Sequence, residues 1–259
     1  MDLMPTPFDK SLTTSPPWVK THLDSLPDCG TCPISKLGIY APTFKSSPDR
    51  VSRHRLRAET YQPNQTILRQ GQASELFGSI RSGWTYFYKT LTDGRRHIQG
   101  FLIPGDTVAL DLLLIGANPV SFGVRAVTET TVCWFPVEYM KRLTQVEGAQ
   151  QEETQLWMSY YLWTLTHRAA MIAHGNAISV VAEFILELSS RERHRGLVKG
   201  DIFDFPPTQA NIADCLGLTP VHVNRVLADL RKRDILEIKD RTLRIFNERE
   251  LRRIAAEEQ

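Results

Sequence analysis

The segment 208–233, TQANIADCLGLTPVHVNRVLADLRKR, constrains the fold more than any other part of the chain. Ile212, Ala213 and Leu216 put small and apolar groups on one face of a first helix. Gly217 stops that helix, because glycine enters the left-handed region without a Cβ penalty. Leu218 follows, placed to plug the corner. Thr219 is a good N-cap, and Pro220 suits a first turn, where its missing N–H costs nothing. Val223, Val226, Leu227 and Leu230 then recur at i, i+3, i+4 and i+7, which makes one buried stripe. The other face carries Val221, His222, Asn224, Arg225 and Lys232. A helix with a buried back and a polar front is shaped to enter a major groove. The competing reading is a helical hairpin in an enzyme; the Gly–Leu–Thr–Pro turn and the basic run favour DNA.

Bulk charge says little, since the net charge is only +2. Residues 225–244 are more telling: seven Arg and Lys against four Asp and Glu, a local +3 that suits a phosphate-contacting edge. The most apolar region, 101–117, is broken by Pro104, Asp106 and Asp111, so no transmembrane span is expected. MDLMPTPFDK lacks the basic start and apolar core of a secretory signal. The expected compartment is the cytoplasm, where disulfides rarely persist. Cys29, Cys32, Cys133 and Cys215 therefore read as thiols, metal ligands or packing groups, with Cys215 in the packing role.

The pattern divides the chain into four parts. Residues 1–50, rich in Pro, Ser and Thr, read as an irregular extension with a compact spot at DCGTCPISKL. Residues 51–146 read as a small antiparallel roll or barrel: WTYFYKT is aromatic and β-branched, Asp93–Gly94 signals a two-residue hairpin, RRHIQGFL alternates, and FGVRAVTETTVCWFP supplies further strand. Residues 147–174 switch to a helical period with two stripes. One is Leu156, Tyr160, Trp163, His167 and Ala170, and the other is Met158, Leu162, Leu165, Ala169 and Ile172. One stripe is expected to cover the roll while the other, taken as Leu156, Tyr160, Trp163, His167 and Ala170, meets a second copy of the chain; the competing reading is a core helix buried on both sides. Residues 175–259 hold a further helix from about Ile178 to Arg191, the two-helix unit, and ILEIK and TLRIF as a hairpin wing turning at Asp240–Arg241. The fold expected is α+β: an N-terminal antiparallel β-roll of cupin-like, jelly-roll type, a long dimerisation helix, and a C-terminal winged helix-turn-helix.

This order of parts resembles the Crp/Fnr family, that of the cyclic-AMP receptor protein and the fumarate–nitrate reduction regulator. The likeness runs from Cys29 to about Phe246 and is carried by GSIRSGWTYFY, the DGRR hairpin, IPGD at 103–106, and TQANIADCLGLTPVHVNRVLADLRKRDIL. It implies a homodimeric transcription regulator that binds double-stranded DNA and contacts RNA polymerase, with no membrane association. In its cyclic-nucleotide binders a Gly–Glu pair and an Arg–Ser pair hold the ligand. Here Val120–Ser121 stands at the second pair and no Gly–Glu precedes it, so cyclic AMP is not expected. The oxygen-sensing branch holds an iron–sulfur cluster on four cysteines. Cys29, Cys32 and Cys133 match three of these, and Gly38 stands at the fourth, with His22 or an external ligand as possible substitutes. A redox disulfide at Cys29–Cys32, or zinc with His22 and His54, are the other readings.

Arg225 is the expected base reader, because a guanidinium grips guanine bidentately. Asn224 and His222 are assigned to bases or phosphates, Val221 to a thymine methyl, and Thr208, Gln209 and Thr219 to phosphates at helix starts. Lys232 belongs to the same basic edge. The family's best-known members carry a glutamate where this chain has Val221, so their target sequence does not transfer. Two rival functions are an enzyme built on His97 and Asp106 of the roll, and a metal- or redox-sensing β-roll protein without DNA activity. His97 itself reads as a solvent-facing strand residue, and no nucleophile–base–orienter set accompanies it.

Overall fold

The computed structural model describes residues 20–21, 29–37, 41, 48–139, 155, 159, 162, 164–166, 168–173 and 175–256. The N-terminal part is built from β1 (Lys20–Thr21), α1 (Pro48–His54), β2 (Arg57–Tyr61), β3 (Thr66–Leu68), β4 (Leu76–Ser82), β5 (Thr85–Thr90), β6 (Arg96–Leu102), β7 (Thr107–Val108), α2 (Leu110–Ile115), β8 (Gly123–Ala126) and β9 (Thr130–Pro136). They form two antiparallel sheets, ordered β1-β2-β9-β4-β7 and β3-β8-β5-β6. Ile80, Val108, Val124 and Val132 are buried in one core. Ile80 pairs with Val132 and Gly78 with Trp134, so alternation puts these positions on one face of the sheet, while the paired Phe77 and Phe135 are buried on its other face.

The hairpin at Asp93–Gly94 differs from the two-residue turn expected. Leu91 N donates to Arg95 O at 2.8 Å and Gly94 N to Leu91 O at 2.9 Å, so three residues make the loop. Gly94 has φ 81° while Asp93 is not left-handed. A two-residue type I′ turn needs both central residues left-handed; here an ordinary turn followed by one left-handed glycine closes the hairpin. Asp93 instead uses its carboxylate to accept from Arg95 N at 2.9 Å.

Residues 164–166 and 168–173 are helical. Leu156, Tyr160, Trp163 and His167 of the assigned dimerisation stripe, and Met158 of the other, lie outside the described residues. Ala170 is exposed, as are Leu162, Leu165, Ala169 and Ile172. Of the second stripe, Leu165 lines a pocket together with Phe87, Gly100 and Leu102 of the roll. The half-buried residues are Thr164, Arg168 and Met171, at i, i+4 and i+7. Arg168 fixes that orientation by donating to Gln99 O at 2.8 Å and pairing with Glu187 at 2.6 Å. An arginine rather than a leucine row sets which face turns inward.

The C-terminal part holds α3 (Ala177–His194), β10 (Ile202–Asp204), α4 (Gln209–Leu216), α5 (Pro220–Lys232), β11 (Leu236–Lys239), β12 (Thr242–Ile245) and α6 (Glu248–Ala255). Asn176 caps α3 by accepting from Ser179 N, and Asn247 caps α6 by accepting from Glu250 N. The wing turn has Asp240 and Arg241 at φ 51° and 60°, a type I′ geometry that matches the twist of β11 and β12. Among the described residues no helix is long and apolar enough to cross a membrane.

The two parts share a core. Trp84 and Phe101 of the roll, Phe184 of α3 and Phe205 after β10 form a run of edge-on ring contacts with centroids 6.5, 5.7 and 6.4 Å apart. Beside it, the buried Asp106 accepts from Arg195 at 2.6 Å, from Arg191, and from Ile103 N at 2.8 Å. Burial alone would raise its pKa, but Arg191, Arg195 and the Ile103 amide outweigh it and hold the carboxyl below its ordinary value. Above the usual carboxylate range Asp106 is thus an anion tying the roll to α3, which argues against an acid–base role.

Glu192 is the opposite case. It is 2% exposed, and its Oε2 meets no hydrogen-bond partner among the described residues. Burial first, and the Asp204 carboxylate second, raise its pKa to about 8. The unfolded chain ionises this group near pH 4.5, so stability is greatest below that and falls as pH rises toward 8. Glu192→Gln is expected to flatten this slope. The variant should melt higher than the parent at pH 9 and match it near pH 4.5 in paired thermal scans; parallel curves across that range would contradict the assignment.

Candidate nucleic-acid interface

The two-helix unit follows from its local chemistry. Thr208 Oγ1 accepts from Asn211 N at 3.1 Å while Asn211 Oδ1 accepts from Thr208 N at 3.2 Å, a reciprocal capping box at the start of α4. Asn211 was not singled out from the sequence; the Thr-x-x-Asn spacing is the signal that finds it. Gly217 at φ 68° ends α4, and its N–H returns to Ala213 O. Thr219 Oγ1 accepts from His222 N at 3.2 Å and starts α5, with Pro220 in the first turn. Ile212, Ala213 and Leu216 are buried, and half-buried Leu218 packs in the corner. Cys215 is buried as a packing residue, and burial raises its thiol to about 12.

Helix α5 is divided as its period requires. Val223, Val226 and Leu230 are buried and Leu227 is half-buried. Val221, His222, Asn224, Arg225 and Lys232 are all exposed, Val221 at 76%. Arg225 makes no hydrogen bond or ion pair among the described residues, so its guanidinium is available. Asn224 Nδ2 donates to Gln209 Oε1 at 3.1 Å, which ties the starts of α4 and α5 into one surface. Thr208, Gln209, Thr219, Val221, His222, Asn224 and Arg225 are thereby gathered at the N-terminal ends of two helices, where backbone N–H groups favour phosphate oxygens. Lys232 sits at the far end of α5, beside Arg231 and Arg233. Thr208 and Thr219 spend their oxygens on caps, so what they offer DNA is a fixed helix start.

At the roll, Val120 is buried and Ser121 N donates to Asp111 Oδ2 at 2.7 Å. Val120, which stands where an arginine would be needed, is thus a buried aliphatic group, and a carboxylate sits beside Ser121. His97 departs from its solvent-facing reading. Its side chain is 38% exposed and its Nδ1 lies 2.9 Å from Asp214 O of α4, so it is part of the contact between the roll and the two-helix unit.

The thiols converge only loosely. Cys133, paired in register with Ala58 and Ser79, is half-buried. Burial chiefly raises its thiol to about 11, and nearby Cys29 and Cys32 push the same way against Arg55 and Arg81. Cys29 is buried, and its N–H donates to Ser52 Oγ at 2.8 Å; Cys32 N donates back to Cys29 O at 3.3 Å. Gly38 and His22 lie outside the described residues. Among the described residues no three His, Cys, Asp or Glu side chains stand as a group able to hold a metal ion.

Comparison with known proteins agrees with this architecture. Residues 58–147 match a cyclic nucleotide-binding domain, and residues 181–254 match a Crp-like helix-turn-helix domain. The fumarate and nitrate reduction regulatory protein of Vibrio cholerae serotype O1 is 27% identical over 227 residues, 88% of this chain and 90% of its own length. The protein of the same name from Escherichia coli K12 is 28% identical over the same shares. The solved structure of FixK2 from Bradyrhizobium japonicum has this fold, with a TM-score of 0.67, 23% identity, and coverage of 77% of this chain and 97% of that one. With a β-roll and a winged helix-turn-helix in this order, the chain carries a cyclic nucleotide-binding domain followed by a Crp-like helix-turn-helix domain, and it is similar over most of its length to fumarate and nitrate reduction regulatory proteins.

Proposed function

We propose that two copies of this chain pair through the helical stretch near residues 155–173 and read a palindromic operator, one α5 helix in each of two successive major grooves. The single observation that carries this reading is the division of α5: four apolar positions turned inward and a free Arg225 turned outward beside Val221 and Asn224. The row of exposed Leu162, Leu165 and Ile172 supports the pairing, because a single chain leaves these apolar groups in water. Bound to its operator, the dimer contacts RNA polymerase or blocks it. Cyclic AMP is not the signal on this reading, since Val120 offers no guanidinium to a phosphate and Asp111 places a carboxylate beside Ser121. Selection of duplexes from a random pool, followed by binding at several salt concentrations, tests the proposal. The expected result is a palindromic consensus and a log–log salt slope of about −0.9 per phosphate neutralised. Equal binding to every duplex would overturn it.

A second reading concerns the signal, and the turn in which Cys32 N donates to Cys29 O at 3.3 Å favours it. A four-thiolate cluster does not fit a cysteine set with Gly38 at one of its four positions. Thiol chemistry fits better: Cys29 and Cys32 lose two protons and two electrons to a cellular oxidant such as a peroxide and join as a disulfide. Protein purified without oxygen should carry neither iron nor sulfide, and differential alkylation should show Cys29 and Cys32 closing together on oxidation. Stoichiometric iron and sulfide would overturn this reading.

A further inference from the structure

Where the roll meets the two-helix unit there is an open cleft of about 530 Å³, walled by Tyr88, Arg95, Arg96, Arg125 and Asp214. Its basic wall follows from strand register. Tyr86 pairs with Arg125, Tyr88 with Ile98, and Arg96 lies two residues before Ile98, so these side chains share one face of the sheet. Helix α4 closes the cleft from the other side with Asp214. That carboxylate accepts from Arg96 Nε at 3.0 Å and from Ile98 N at 3.3 Å.

The charge in the cleft is not balanced. Three guanidiniums and one carboxylate line it; with Arg96 paired to Asp214 and Arg95 to Asp93 at the rim, Arg125 is left without an anion among the described residues. Arg96 is held in place by Asp214 and by the Tyr86 ring, 4.8 Å from its guanidinium carbon. Arg95 is largely exposed and pairs with Asp93 at the hairpin tip. Arg125 is half-buried, and its Nε, shielded from solvent, has no hydrogen-bond partner among the described residues. Arg125 lines the cleft and makes no hydrogen bond or ion pair among the described residues, so a half-buried guanidinium is left there without an anion, which a bound anion would supply.

We propose that this cleft binds a small phosphate-bearing anion, inorganic phosphate or a phosphate monoester, between Arg125, Arg96 and Arg95. The planar forks of the arginines match a tetrahedral dianion. The bound anion competes with Asp214 for Arg96 and repels the Asp214 carboxylate. Its affinity is therefore higher when α4 has moved away from β6, and binding shifts the protein toward that undocked state. The site is separate from the α5 surface and stands whether or not the DNA reading does.

Calorimetric titration of the full chain with phosphate and with phenyl phosphate tests this, with phenol as the neutral control. Saturable binding of both phosphates and none of phenol is expected. Arg125→Gln should weaken binding roughly tenfold or more, as for loss of a charge-assisted hydrogen bond. Asp214→Asn should strengthen it, because the competing carboxylate is gone, and it guards against a fold defect in the Arg125 variant. Arg225→Gln should leave it unchanged. Phosphate should also raise amide exchange in residues 209–216. Absence of saturable binding, an Asp214→Asn variant that binds no tighter, or loss of binding in Arg225→Gln would overturn the proposal. The last outcome would place the anion on the DNA-facing helix.

Discussion

Arg225→Ala is expected to cost about 1–3 kcal/mol of discrimination at one base pair of each half-site, the value of a bidentate guanidinium contact to a base edge. Because Arg225 is exposed and makes no contact within the described chain, the substitution should leave the unfolding midpoint nearly unchanged. Lys232 provides the contrast. It stands at the other end of α5, so Lys232→Ala should weaken binding to all sequences about equally and reduce the salt slope by roughly one unit. Competition binding against operators with single base changes separates the two. A variant lacking Arg225 that still ranks those operators as the parent does would remove Arg225 from the base-reading role.

The other large effect belongs to Asp106. Asp106→Ala leaves the guanidiniums of Arg191 and Arg195, with side chains only 15% and 11% exposed, without their shared anion. Breaking a buried pair by removing one partner costs about 3–5 kcal/mol, far more than the pair contributes when intact. The loss should appear in urea unfolding at pH 7 as a lower midpoint. It should also split the transition into two, since the same contact joins the roll to α3. The pH dependence has a fixed sign. The Asp106 carboxyl titrates below its ordinary value, so its contribution is fully present above about pH 4 and is lost as pH falls through the folded-state value. A single unshifted transition would show that the roll and the C-terminal part do not depend on this contact.

The two-helix unit was legible in the sequence because everything that specifies it is local. A Gly–Leu–Thr–Pro turn, two threonine caps and one apolar stripe lie within twenty-six residues, and each acts on a neighbour three or four positions away. The wing turn at Asp240–Arg241 is legible for the same reason. The contact between roll and C-terminal part was not. Asp106 meets partners 85 and 89 residues later, and Asp214 meets Arg96 across 118. Nothing in an isolated arginine or aspartate announces such a partner, which is why His97 reads as a solvent-facing residue until α4 is seen against it. The helical segment at 164–166 and 168–173 shows a third situation. Its period is plain, but which stripe turns inward is decided by Arg168 reaching Gln99 and Glu187, a polar preference that an apolar pattern does not reveal.

The regulator account depends on two Arg225-bearing helices acting together on one duplex. Sedimentation of the protein with its selected operator, combined with hydroxyl-radical footprinting, tests that directly. The account predicts two chains per duplex and two protected half-sites centred about 10–10.5 base pairs apart, one helical turn. One chain per duplex, or a single protected patch without a symmetry-related partner, would contradict it.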